Sequence, residues 1–193
     1  MKTCSKFKQK LIKKQKTIGS WLTFSDPAIA EIMAKSGFDW IVIDMEHSSL
    51  SFNQAQEMIR IIDLCGTTPL VRVIENNHDL IKRYMDAGAH GVIVPMVNSK
   101  EEAIKAVNAV KYPPIGGRGV GLSRAQNYGL EFDEYYNWNQ DNSIVIVQIE
   151  DIKGLQNIES IMSVNNLDGL IVGPYDLSAS LGHPGDFDNA LVK

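Results

Sequence analysis

The 193-residue chain carries only two cysteines, Cys4 and Cys65, with no C-x-x-C pair and no disulfide-framework spacing. A disulfide-stapled secreted domain is therefore excluded, and a reducing, cytoplasmic setting is expected. There are four histidines, none paired at metal-ligand spacing, so with so few thiols no zinc site is expected. Positive charge is not in excess: 19 Lys plus Arg against 23 Asp plus Glu give a net charge of -4, which argues against charge-driven nucleic-acid binding. Long apolar runs are missing as well. The longest, such as Ile144–Val147, are a handful of residues, far short of the ~20 that span a bilayer, and no signal-type apolar stretch follows the lysines of residues 2–16. No membrane partner is expected. With 15 Gly and 7 Pro the chain is neither collagen-like nor compositionally disordered.

What is present is a repeated apolar pattern. Runs rich in β-branched residues recur at 17–24, 40–43, 69–74, 91–94, 143–149 and 169–172. Most are too short for helices, and they are continuous rather than alternating, as strands of a helix-covered parallel sheet are. Helical stripes lie between them. Asp26-Pro27 opens one through Ile29, Ile32 and Met33; Ser51 with Gln54 makes a capping-box signature before Ala55, Met58, Ile59 and Ile62. Asn77 precedes Leu80, Ile81, Tyr84 and Met85, Ser99 with Glu102 opens Ala103, Ala106, Val107 and Val110, and Leu155, Ile158, Ile161 and Met162 form a further stripe.

Segments 37–43, 88–94 and 166–172 repeat one order of helix stop, polar link and strand. Strand starts fall about 25 residues apart, except for one double interval with room for a strand near Arg118–Leu122, which makes about seven βα units. Such units build a closed barrel or an open doubly wound sheet, and their near-equal size favours the barrel. Since eight units take ~250 residues, the expected fold is a TIM (β/α)8 barrel over 17–193 that lacks its eighth unit. A basic helix over 1–16 precedes it, its lysines forming either a solvated face or an anionic-lipid or RNA patch. The solvated face is expected, with Phe7, Leu11 and Ile12 turned to the body.

Barrel chemistry sits at the carboxyl ends of strands, and that is where the ionisable residues fall. Asp44, Glu46 and His47 follow the second run, Arg72 lies in the third, Gln148, Glu150 and Asp151 close the sixth, and Asp176 follows Gly173-Pro174-Tyr175. Glu150 and Asp176 admit two readings: oxygen ligands of a hard divalent cation, or a loop carboxylate and a helix N-cap. Arg72 inside an apolar strand points to anion binding, since burying it without an anion is unfavourable. His47 is either a general base oriented by Asp44 or a loop histidine. Gly116–Gly121 lacks the phosphate-loop spacing and is expected to be a flexible rim loop carrying Arg118 and Arg124.

Taken in order, Gly19-Ser-Trp-Leu22, Asp26-Pro27, Gly37-Phe-Asp-Trp40, Asp44-Met-Glu-His47, Val71-Arg-Val73, Val94-Pro-Met-Val97, Gly117-Arg-Gly-Val-Gly121 with Arg124-Ala125, Gln148-Ile-Glu150 and Gly173-Pro-Tyr-Asp-Leu-Ser178 resemble the HpcH/HpaI aldolase family. These are metal-dependent pyruvate aldolases, and the match spans about residues 8–187.

The resemblance implies a (β/α)8 barrel that cleaves 4-hydroxy-2-oxo acids to pyruvate and an aldehyde. Glu150 and Asp176 match its ligands for Mg or Mn, with Co a further option. Arg72 matches the group that binds the keto oxygen. His47 with Asp44 matches the acid-base group, and Asp86 a carboxylate that assists from a neighbouring subunit. Gln148, Trp21 and Arg124 match the substrate pocket, and backbone N–H groups of Tyr175 and Asp176 would take the substrate carboxylate. A homo-oligomer, a hexamer in the family, is implied. The strand runs hold no lysine for Schiff-base chemistry. The rival readings are a truncated non-catalytic barrel that binds 2-oxo acids or partner subunits, and a lyase acting on a CoA thioester, disfavoured because no extra domain for CoA is visible.

Overall fold

A computed structural model describes residues 5–193, so Lys2 and Cys4 lie outside the described residues. The apolar runs become strands β1 (Gly19–Leu22), β2 (Trp40–Asp44), β3 (Thr68–Arg72), β4 (Gly91–Val94), β5 (Ile144–Ile149) and β6 (Gly169–Val172). The helices are α1 (Lys6–Ile12), α2 (Pro27–Lys35), α3 (Phe52–Leu64), α4 (His78–Ala87), α5 (Lys100–Val110), α6 (Phe132–Asn142), α7 (Ile152–Gln156), α8 (Ile158–Met162) and α9 (Pro174–Ser180). All strand pairs are parallel and the spatial order is β1-β2-β3-β4-β5-β6. A doubly wound sheet would reverse its order at a switch point. This one never does, and it curls as a six-stranded, TIM-like half-barrel.

The strand expected near Arg118–Leu122 does not form. β4 pairs directly with β5, from Gly91↔Ile144 to Val94↔Val147, so no edge is left for a strand between them. The intervening chain instead leaves the sheet as a strap ending in a 3-10 segment, Arg124–Gly129. The described residues thus hold six βα units, not seven.

The caps act as their chemistry requires. Asp26 accepts the N–H groups of Ala28 and Ile29, the Ser51/Gln54 capping box closes, and Asn77 and Ser99 cap α4 and α5. Outward strand residues such as Ile41, Ile43, Val71, Val92, Val145 and Val147 pack with the helices into the main core. Inward residues Val42, Leu70, Ile93 and Ile144 fill the barrel interior around Phe7.

Phe7 therefore plugs the interior from the amino end of the strands. α1 is shorter than the helix expected over 1–16, and Ile12, expected to face the body, is 70% exposed. Two of its lysines are spoken for: Lys8 pairs with Asp168 and Lys10 with Asp39. Among the described residues no helix is long and apolar enough to cross a membrane.

Lys111, just past α5, is buried and donates to the carbonyls of Asn139, Gln140 and Ser143 at 2.9, 2.8 and 3.2 Å, closing the carboxyl end of α6. Burial, with help from the Lys8 charge and against Asp168 and Asp141, pushes its pKa down to about 8. Because the folded state then holds this proton less tightly than the unfolded chain does, stability rises as pH climbs from about 8 toward the ordinary lysine value of 10.5. The expected outcome is that the unfolding free energy of the parent gains on that of Lys111→Met by up to about 3 kcal/mol across this window. Urea titrations at several pH values check it, and a pH-independent difference contradicts it.

Candidate active site

The strand register builds the site in layers. Successive side chains of a strand point to opposite faces, and Trp21↔Val42↔Leu70 places Trp21 on the inward side. One layer higher, inward residues turn polar: Asp44 lies across from Arg72, and Gln148 and Glu150 follow Ile146 on β5 and just past its end. This is the carboxyl end of the sheet, as expected for a barrel enzyme.

Arg72 donates from Nε to Asp44 Oδ1 at 2.9 Å and from Nη2 to Oδ2 at 2.7 Å. Its Nε also lies 3.3 Å from Glu46 Oε2, and its Cζ sits 4.7 Å from the centroid of the Trp21 ring. Burial alone would raise the pKa of Asp44, but the Arg72 bonds and charge and the N–H groups of His47 and Glu46 outweigh it and hold the carboxyl below its usual range. Arg72 responds in kind: burial works against its charge, while Asp44, Glu46 and Glu150 overcome that and raise its pKa. Glu46 goes the other way. Burial lifts its pKa, with Glu150 and Asp44 adding to the lift and Arg72 and His47 opposing it.

Glu150 is 4% exposed and fixed from three sides. Its Oε2 accepts the Met96 N–H at 3.0 Å, its Oε1 accepts the Gln148 amide, and Gly173 packs against the carboxylate. Met96 reaches Glu150 from a left-handed backbone with φ 53°, a strained conformation of the kind that gathers at functional sites. Asp176 is exposed in the first turn of α9, three residues beyond Gly173.

Several expectations need correcting. Asp44 does not orient the His47 ring, because its carboxylate is taken by Arg72 and by two backbone N–H groups, one of them that of His47 itself at 3.2 Å. The His47 ring is 65% exposed, with Nε2 3.9 Å from Glu46 Oε2, so Glu46 is the nearer carboxylate.

Arg124 is not at this site. It bonds Asp63 Oδ2 at 2.7 Å and the Ala87 carbonyl at 3.2 Å, at the carboxyl ends of α3 and α4 and hence at the amino end of the strands. The Gly116–Gly121 stretch is no flexible rim either. Arg118 is fully buried, donating to Tyr135 Oη at 2.9 Å and to Asp86 Oδ1 at 2.5 Å. Asp86 is thereby engaged on the helix layer of its own chain. The Tyr175 ring stacks edge-on to Phe187, 5.1 Å between centroids.

Glu46, two residues past the inward Asp44, carries no role that the sequence alone assigns. The parity signal was there, and only the fold shows that it faces Arg72.

A divalent cation suits these donors. Asp44 and Glu46 share one guanidinium, which Asp44 already engages through two bonds, Glu150 accepts only from neutral N–H groups, and Glu46 Oε2 and Gln148 Oε1 are buried oxygens with no hydrogen-bond partner. Hard oxygen ligands with surplus negative charge are what Mg²⁺ or Mn²⁺ takes. Among the described residues no three His, Cys, Asp or Glu side chains form a metal cluster. An ion held by two carboxylates would leave its other positions to water and substrate.

A TIM-like half-barrel with buried carboxylates and an arginine at the carboxyl ends of its strands has the layout of a barrel enzyme. The HpcH/HpaI aldolase/citrate lyase profile matches residues 17–191, and the chain belongs to that family. It is 39% identical over 189 residues to a 2-keto-3-deoxy-L-rhamnonate aldolase of Klebsiella pneumoniae, covering 97% of this chain and 70% of that protein. The enzyme of the same name from Salmonella typhi is 40% identical over 186 residues, covering 95% and 68%. A crystal structure of a family member from Burkholderia cenocepacia superposes with a TM-score of 0.89 at 34% identity, over 97% of this chain and 76% of that one.

A Cβ at position 173 would stand 2.7 Å from both Cγ and Oε1 of Glu150, so Gly173→Ala must displace that carboxylate. At Gly169 the nearest atom to an added Cβ, Ile146 Cγ1, is 3.9 Å away. Gly173→Ala is expected to lower kcat/KM roughly 100-fold, in line with the effect of an ångström-scale misplacement, while Gly169→Ala stays near the parent. Steady-state assays of the pair check this, and equal activity in both contradicts it.

Proposed function

We propose that the chain is a divalent-metal-dependent aldolase that cleaves 4-hydroxy-2-oxo acids, the 2-keto-3-deoxy sugar acids among them, into pyruvate and an aldehyde. The observation that carries this reading is the buried Glu150 carboxylate, fixed by the Met96 N–H and the Gln148 amide at the same strand ends that hold the Asp44–Arg72 pair and Glu46.

Glu150 and Asp176 would hold the cation, Mg²⁺ or Mn²⁺ with Co²⁺ a further option, and when bound it acts as a Lewis acid on the ketone. Arg72 donates to the keto oxygen, where negative charge develops as the C3–C4 bond breaks and its electron pair moves into the enolate. His47, exposed at the mouth, takes the proton of the C4 hydroxyl as the aldehyde carbonyl forms. Protonation of the enolate at C3 gives pyruvate. Gln148 and Trp21 line the same inward face. The Tyr175 and Asp176 N–H groups, in the first turn of α9, are placed by this reading to take the substrate carboxylate.

Homo-oligomeric assembly belongs to the same reading. A cytoplasmic small-molecule enzyme is consistent with the charge and cysteine content.

The test is pyruvate release from a 2-keto-3-deoxy sugar acid. Activity is expected to vanish with EDTA and return with Mg²⁺ or Mn²⁺, and Glu150→Gln is expected to lose at least about 100-fold in kcat, as removal of a principal electrostatic group does. A Glu150→Gln protein as active as the parent contradicts the metal assignment. Oxalate binding without any turnover favours instead a non-catalytic barrel that binds 2-oxo acids.

A further inference from the structure

Asp44 and Glu46 grip one edge of the Arg72 guanidinium: Nε and Nη2 donate to the two oxygens of Asp44, and Nε lies 3.3 Å from Glu46 Oε2. Among the described residues the remaining nitrogen, Nη1, has no hydrogen-bond or ion-pair partner. A two-bond pair along one edge still lets the guanidinium plane hinge about the line joining the two carboxylate oxygens. A ring packed beneath the guanidinium carbon limits that freedom. Trp21 supplies the contact, with Cζ 4.7 Å from the ring centroid. Trp21 is also a poor core residue. It is 39% exposed, on the inward side of the edge strand β1, and it belongs to none of the buried clusters.

We propose that Trp21 is a positioning residue: its indole face, beneath the guanidinium carbon of Arg72, completes a clamp with Asp44 and Glu46 that keeps Nη1 turned to the anionic oxygen that forms on the bound 2-oxo acid. Because that oxygen is fully charged only after the C3–C4 bond breaks, the clamp acts on kcat more than on KM. The inference rests on the aldolase reading, which assigns Arg72 to the keto oxygen.

The experiment compares Trp21→Phe, Trp21→Leu and Arg72→Met with the parent, all loaded with Mn²⁺. Oxalate is the probe of the developing charge, since it presents an anionic oxygen where the enolate oxygen would stand, and pyruvate is the ground-state probe. Calorimetry reads both affinities, thermal melts report folding, and pyruvate release gives kcat and KM.

Trp21→Phe keeps an aromatic face and is expected to remain within about threefold of the parent in every reading. Trp21→Leu keeps apolar bulk without that face. It is expected to lose roughly tenfold in kcat and in oxalate affinity, the size of a partly desolvated cation-π contact, with KM, pyruvate affinity and Tm unchanged. A Trp21→Leu protein with parental kcat and oxalate affinity overturns the proposal. So does one that loses pyruvate and oxalate affinity equally, or a Trp21→Phe protein as impaired as Trp21→Leu. Arg72→Met separates the role of Arg72 from that of the clamp: parental oxalate binding there sinks the role given to Arg72, whereas a damaged Arg72→Met beside an intact Trp21→Leu sinks the clamp alone.

Discussion

A charged side chain inside a barrel must find its counter-charge there, and the Asp44–Arg72 pair, one rung of the β2–β3 register, meets that demand. Breaking such a buried pair by removing one member strands the other charge, typically at several kcal/mol. The rest of the upper layer depends on it. Asp44 also takes the N–H groups of Glu46 and His47, which sets the loop that carries both side chains. With Arg72 engaged by Asp44, Glu46 is left with a share of one cation and Glu150 with neutral donors, and the surplus of negative oxygen that results is the property that suits the site to a metal.

Much of this fold is legible in the sequence because its signals are local. Continuous β-branched runs and capping residues report the strands and helix starts, since each follows from backbone geometry within a few residues. The polar residues at strand ends stand out for the same reason: Arg72 within Leu70-Val71-Arg72-Val73 has no apolar explanation, and β3 places it facing Asp44.

What stayed hidden depends on partners far away in the chain. Arg118 and Arg124 look alike in a glycine-rich stretch, and nothing nearby reveals that one is buried against Asp86 and Tyr135 while the other reaches back to Asp63. Val120 and Leu122 have strand-like composition, but the β4 edge they would need is already paired with β5. The Asp44 and His47 spacing suggests a side-chain contact; the structure gives a backbone contact, because Asp44 turns inward to Arg72. Glu46 had the right parity to be noticed. Without the position of Arg72, parity alone assigns it no task.

Anomalous diffraction from crystals grown with Mn²⁺ and oxalate tests most directly the proposal that Glu150 and Asp176 bind one cation. A single strong anomalous peak is expected between those two carboxylates, with an oxalate oxygen against the Arg72 guanidinium. A peak elsewhere on the molecule, or none while oxalate is bound, would contradict it.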